Sequence, residues 1–214
     1  MKSSEARVRF GDLSNKKVEK EEADEYFGKI FRYGAGLQSM SFTPFDGAQF
    51  ESGYGAGAHV TMEFSSRYAI EVSYGQYTQK VKTTDKISSG KATIRPLQFS
   101  VQYLFNGRRT LTPFFQGGAT FYSIGYNRDP GPSGYEPYEV TQKIKDGMGY
   151  QFGGGLHYFP SRSRKFDLTL DYRYVMFRAD NQLVLTWQGT QYAFSQYSLD
   201  MSGHQVNAGC TYYF

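Results

Sequence analysis

The chain of 214 residues has a single cysteine, Cys210, so it can form no internal disulfide and no thiolate metal cluster. It contains no run of about 18 consecutive apolar residues, which excludes a transmembrane helix but leaves strands that cross a bilayer open. Met1 is followed by Lys2-Ser3-Ser4-Glu5 with no apolar stretch, so the sequence as written reads as lacking a secretory signal. An exported protein would have had that signal removed, or its start misplaced. The net charge of +4, from 24 basic and 20 acidic residues, is too small and mixed to indicate nucleic acid. The three histidines, His59, His157 and His204, are scattered without metal-ligand spacing, and no segment reads as a phosphate loop. No cofactor is implied. What the chain has in quantity is glycine (24), tyrosine (19) and phenylalanine (18), a composition of pleated strands and tight turns.

Charge is unevenly spread. Residues 1–32 hold eight Lys/Arg and seven Asp/Glu, and Lys16 to Glu25 is charged enough to stay solvated. The expected organisation is a charged N-terminal extension over 1–30, partly disordered or forming a short helix, followed by an all-β domain over 31–214. In that domain eight segments alternate apolar with small or polar residues, near 31–43, 53–64, 68–82, 91–105, 111–126, 147–159, 166–185 and 191–214. In one, Tyr68, Ile70, Val72 and Tyr74 interleave with Ala69, Glu71, Ser73 and Gly75; in another, Phe166, Leu168, Leu170, Tyr172 and Tyr174 oppose Asp167, Thr169, Asp171 and Arg173.

A soluble barrel turns the apolar face inward, whereas a membrane barrel turns it to lipid and keeps the polar face inside. Several segments exceed the usual strand length of about 5 to 6 residues, and a tilted spanning strand needs roughly 9 to 11. Connections also alternate between short (65–67, 106–110, 160–165) and long (44–52, 83–90, 127–146), as in outer-membrane barrels whose short turns and termini face the periplasm. The short turns carry Arg67, Arg108, Arg109, Arg162, Arg164 and Lys165 and no acid, a cationic rim suited to lipid phosphates. The expected fold is therefore an eight-stranded antiparallel transmembrane up-and-down β-barrel.

Parity assigns His59, Thr61, Glu63, Glu71, Gln98, Gln102, Gln116, Gln151, His157, Asp171 and Arg173 to the lumen. Arg173 is expected to neutralise one or more of Glu71, Asp171 and Glu63, because an unpaired buried charge is costly. The opposite parity assigns Ile70, Val72, Phe99, Val101, Leu168, Leu170, Tyr212 and Phe214 to lipid. One constellation has enzyme-like chemistry: Asp200, Ser202 and His204 share a face of the last strand, with alternate residues roughly 6.5 to 7 Å apart. The trio falls at the outer rim and no oxyanion donor accompanies it, so no catalytic residue is assigned. Leu183, Leu185, Trp187, Tyr192 and Phe194 carry the alternation beyond spanning length, as an apolar ribbon above the membrane. Pro96 and Pro113 lie within expected strands and call for strand ends or bulges outside the lipid core.

The terminal Cys210-Thr211-Tyr212-Tyr213-Phe214, the run Arg95-Pro96-Leu97 into 98–105, and Thr112-Pro113-Phe114-Phe115-Gln116-Gly117-Gly118 resemble the OmpW-type family. They resemble more loosely the wider eight-stranded group of OmpX-like and OmpA-like barrels. Segments 146–159 and 166–177 are similar to its sixth and seventh strands. The resemblance covers about 30–214 and implies a protein of a Gram-negative-type outer membrane, with a pore for small apolar molecules as the associated role. The polar interior read from parity fits that substrate class poorly.

The functional expectation is a non-enzymatic narrow channel or binding barrel for small molecules. Its partners would be outer-membrane lipids, lipopolysaccharide and a small-molecule ligand. The alternative is a non-conducting structural or adhesive barrel acting through its external loops; a soluble ligand-binding barrel is third, and a lipid A deacylase-like or other lipase barrel ranks behind the first two. Oligomeric state is not fixed by the sequence. Refolded in detergent, the protein is expected to show heat-modifiable migration on electrophoresis; a monodisperse monomer refolded in detergent-free buffer would overturn the membrane assignment.

Overall fold

The computed structural model describes residues 31–45, 50–81, 90–105, 110–128, 139–161 and 164–214, with side chains left out at 128, 139–142, 183, 185, 192–195 and 197. The expected extension over 1–30, Arg108, Arg109 and Arg162 of the short turns, and most of the long connections lie outside these residues. Among the described residues eleven strands follow in order: β1 (Arg32–Pro44), β2 (Gly53–Glu63), β3 (Tyr68–Val81), β4 (Gly90–Leu104), β5 (Leu111–Arg128), β6 (Glu139–Ile144), β7 (Gly147–Tyr158), β8 (Phe166–Met176), β9 (Arg178–Trp187), β10 (Thr190–Asp200) and β11 (Gly203–Tyr213). Eight of them close into an antiparallel barrel in the order β1-β11-β8-β7-β5-β4-β3-β2, and β10, β9 and β6 form a separate three-stranded sheet. Closure runs through the β1–β11 ladder, from Gly34 opposite Tyr213 to Pro44 opposite Gly203.

The eight-stranded barrel is thus as expected, with two corrections at its outer end. The segments 166–185 and 191–214 are not single strands; each breaks, at Phe177 and at Met201-Ser202, and the outer pieces become β9 and β10. The region 127–146 is not only a loop: β5 runs to Arg128, and β6 pairs with β9 from Glu139 opposite Thr186 to Ile144 opposite Asn181. The break is held by side-chain chemistry. Ser202 Oγ accepts from the Phe177 backbone N–H at 3.1 Å, and Met201 N–H donates to the Phe177 carbonyl, so the junction keeps its polar groups paired while the chain changes sheet.

The prolines behave differently from one another. Pro113 is the third residue of β5, near the periplasmic end. Pro96 lies inside β4: the β4–β5 ladder passes through Pro96 opposite Tyr122, while the β3–β4 ladder goes from Tyr74–Leu97 to Tyr77–Ile94 with no shift of register. The missing N–H therefore costs a local gap rather than a bulge.

A barrel this narrow brings backbones close together. A Cβ on Gly118 would stand 1.8 Å from the Phe99 carbonyl oxygen, and one on Gly153 1.9 Å from that of Tyr172, whereas one on Gly117 meets nothing nearer than 3.8 Å. Gly118→Val is expected to lower unfolding free energy in detergent or lipid by about 1–3 kcal/mol through overpacking, and Gly117→Ala to change it by less than about 0.5 kcal/mol, measured by denaturant titration.

Candidate functional site: the barrel interior

The ten interior candidates His59, Glu63, Glu71, Gln98, Gln102, Gln116, Gln151, His157, Asp171 and Arg173 are each at most 5 % exposed. Alternation in the strands brings most of them to one level, midway along the axis, and Arg173 on β8 is its centre. Its Nε donates to Asp171 Oδ1 at 2.6 Å, one terminal nitrogen to Glu71 Oε1 on β3 at 2.9 Å, and the other to Gln98 Oε1 on β4 at 3.1 Å. Gln102 and Gln116 donate to Glu71 and Asp171, and Asn207 on β11 donates to Asp171 at 2.9 Å. Gln98 in turn donates to Gln151 on β7 and Gln205 on β11. One connected belt therefore ties six of the eight barrel strands across the interior. Full pairing is what makes buried ions tolerable, since each loses several kcal/mol of hydration.

Below the belt, towards the short turns, aromatic rings and cations pack against one another. The Arg32 guanidinium lies over the Tyr213 ring at 4.2 Å and pairs with Glu63 at 3.1 Å, and Arg164 lies over Phe159 at 3.8 Å. His157 pairs with Asp167 at 2.6 Å and packs on Phe114, ring centroids 4.4 Å apart. Glu63 is thus the partner of Arg32, not of Arg173. His59 shares a 2.8 Å hydrogen bond with Thr211 instead of joining the belt. Cation–aromatic contacts of this kind contribute about 0.5–2 kcal/mol each.

Above the belt the interior turns apolar, which the sequence reading missed. Met40, Phe42, Tyr77, Ile94, Tyr122 and Phe177 belong to one buried cluster that also takes in Phe50, Ile144 on β6, Ala179 on β9 and Leu199 on β10. Phe42 stacks on Tyr77 with centroids 5.4 Å apart, and Tyr122 on Phe177 at 4.2 Å. The signal was present as a change of phase. On β3, β4 and β5 the inward positions become Tyr77, Ile94 and Tyr122 at the height where the outward ones become Gln76, Arg95 and Ser123.

Of the side chains expected to face lipid, Leu170, Val101, Tyr212, Leu168, Phe99 and Ile70 are 36–55 % exposed, the terminal Phe214 is 81 % exposed, and Val72 is half-buried. A shallow groove of about 620 Å³ runs over the outside of β1–β3, between Ala35, Leu37, Ala58, Val60, Val72 and Tyr74. The Asp200-Ser202-His204 trio is not assembled. Ser202 Oγ is bound to the Phe177 backbone; Asp200 accepts from the Ser202 N–H at 2.9 Å; and His204 bonds the Tyr172 hydroxyl and packs against Phe45. Burial opposes the charge on Asp200, but the Ser202 hydrogen bonds and Arg178 outweigh it and hold the carboxyl below its ordinary value. Of the apolar ribbon expected above the membrane, Trp187 is 40 % exposed, while the side chains of Leu183, Leu185, Tyr192 and Phe194 lie outside the described set.

A closed barrel with an outward apolar band, a polar interior and short turns at one end is a transmembrane barrel of the outer-membrane class. The model of the outer membrane protein beta-barrel domain family matches residues 20–214, and the chain belongs to that family; it is a bacterial outer-membrane protein. Among curated proteins none matches it. Among solved structures it is similar to outer membrane protein OprG from Pseudomonas aeruginosa, at 13 % identity over 87 % of this chain and 97 % of OprG, TM-score 0.70. It is also similar to outer membrane protein AlkL in lipid bilayers (16 % identity, 86 % and 90 % covered, TM-score 0.56) and to a major outer membrane protein of Thermus thermophilus (15 %, 86 % and 99 %, TM-score 0.55). At these identities the likeness is one of fold.

Removing Arg173 strands two buried carboxylates. Arg173→Ala is expected to cost about 3–5 kcal/mol, and adding Glu71→Gln and Asp171→Asn to recover at least half of it, as read from denaturant unfolding of the refolded protein. A double-mutant energy no larger than the surface-pair range, about 0–1 kcal/mol, would show the belt to be solvated.

Proposed function

We propose that this protein is a narrow binding barrel that takes small apolar molecules from outside into the outer half of its interior, and that it is not a water-filled pore. The observation that carries the reading is the division of the interior into an apolar outer tier around Phe42, Tyr77, Tyr122 and Phe177 and, beneath it, a belt in which the charges of Arg173, Glu71 and Asp171 are paired. Apolar walls favour apolar guests through the area they remove from water. The belt opposes a continuous file of hydrated ions, because passage would require breaking charge-assisted bonds to Arg173.

The proposal separates from the adhesive alternative, which is favoured by the sheet of β6, β9 and β10 and by the exposed Trp187. Methionines give the test. Met40 and Met201 lie in the apolar tier, whereas Met148 and Met176 are exposed on the outer wall. With methyl-labelled methionine in nanodiscs, titration with naphthalene is expected to shift Met40 and Met201, and Phe177→Arg to abolish those shifts. Shifts confined to Met148 and Met176 would place the probe in lipid and end the proposal, and binding to host or envelope components without interior shifts would select the adhesive reading. In planar bilayers the protein is expected to pass no steady ionic current.

A further inference from the structure

We propose that the outer ends of β3 and β4 form a binding site for the phosphorylated headgroup of an outer-leaflet glycolipid, held by Lys80, Lys91 and Arg95. This goes beyond the reading of the interior and does not depend on it. The sites are set by register. Lys80 and Lys91 stand directly opposite each other on adjacent strands, both exposed on the outward face. Directly opposed side chains have Cβ atoms about 4.5–5.5 Å apart, and like charges there destabilise the pair. An anion between them turns that repulsion into attraction.

Depth identifies the anion. Tyr74 on β3, Leu97 on β4 and Phe121 on β5 form one cross-strand row, Tyr74 opposite Leu97 and Leu97 opposite Phe121, and they are the last apolar outward residues before the polar tier. Arg95 is the first outward residue of β4 above that row, exposed, beside Ser123 and hydrogen-bonded through Nε to Gln76 at 3.0 Å. Lys91 is four residues further on, about 13 Å of strand and about 10 Å of height at a 40° tilt. The cations thus start at the hydrocarbon boundary and extend well above it, on the side that faces away from the short turns. A single phospholipid phosphate meets only the lower part of this span. A glycolipid with phosphates on a sugar headgroup meets all of it, and arginine and lysine are the side chains that bind phosphate. Glu51 lies beside the outer end of β3, its backbone N–H donating to the Lys80 carbonyl at 2.9 Å, and among the described residues no ion pair joins its carboxylate to Lys80.

The test uses the full chain refolded in detergent, with bisphosphorylated lipid A as the probe and native mass spectrometry as the readout. The triple variant Lys80→Gln, Lys91→Gln, Arg95→Gln is expected to raise Kd by at least about tenfold, or about 1.4 kcal/mol. A control of equal charge loss, Lys143→Gln, Lys145→Gln, Arg178→Gln, is expected to stay within about twofold. Dephosphorylated lipid A and phosphatidylglycerol are each expected to bind the unaltered protein at least about tenfold more weakly than lipid A. Equal binding of phosphatidylglycerol, an unchanged Kd in the triple variant, or an equal loss in the control would each overturn the site. If the triple variant lacks heat-modifiable migration, Lys91→Gln alone is read instead: a Kd raised about threefold supports the site, and an unchanged one refutes it.

Discussion

Hydrocarbon offers no partner to a peptide N–H or C=O, and that constraint governs the molecule. Every strand within the bilayer must pair on both sides, so the sheet has to close, and it closes where β11 meets β1. Closure with eight strands leaves an interior only wide enough for side chains. The glycines at Gly118 and Gly153, whose absent Cβ atoms would collide with neighbouring carbonyls, belong to this economy of space. The ionic belt does too: in so narrow a cylinder one guanidinium reaches carboxylates on β3 and β8 and an amide on β4 at once.

Barrel class, strand number and the two faces of each strand were legible in the sequence because a period of two over long segments admits few arrangements. Individual partners were harder. Parity puts Glu63 and Arg173 in one interior but says nothing of height, and height sends Glu63 to Arg32 near the periplasmic end. The trio at Asp200, Ser202 and His204 shows the opposite limit. Spacing along one strand suggested a shared face, but the strand ends at Asp200 and restarts at Gly203, and the change of direction separates the three.

The second sheet was illegible for a related reason. Read as one continuous alternation, 166–185 and 191–214 look like two long strands, and nothing local marks Phe177 as the point where the chain leaves the barrel for a second sheet. What marks it is a set of distant partners, β6 against β9 and Ser202 against the Phe177 backbone, that no single segment contains. Within the bilayer tier the apolar side chains point out and the polar ones in; past Tyr74, Leu97 and Phe121 the order reverses.

That reversal divides one chain between two solvents. The upper tier obeys the rules of a water-soluble protein, oily centre and hydrated skin, and is built on the same strands as a lower tier that obeys the rules of lipid. Such a tier is at home only beyond the acyl chains: moved down by its own height, its hydrated skin would face hydrocarbon. The row of Tyr74, Leu97 and Phe121 therefore fixes the depth at which the molecule sits, since sliding in either direction puts one tier into the wrong solvent.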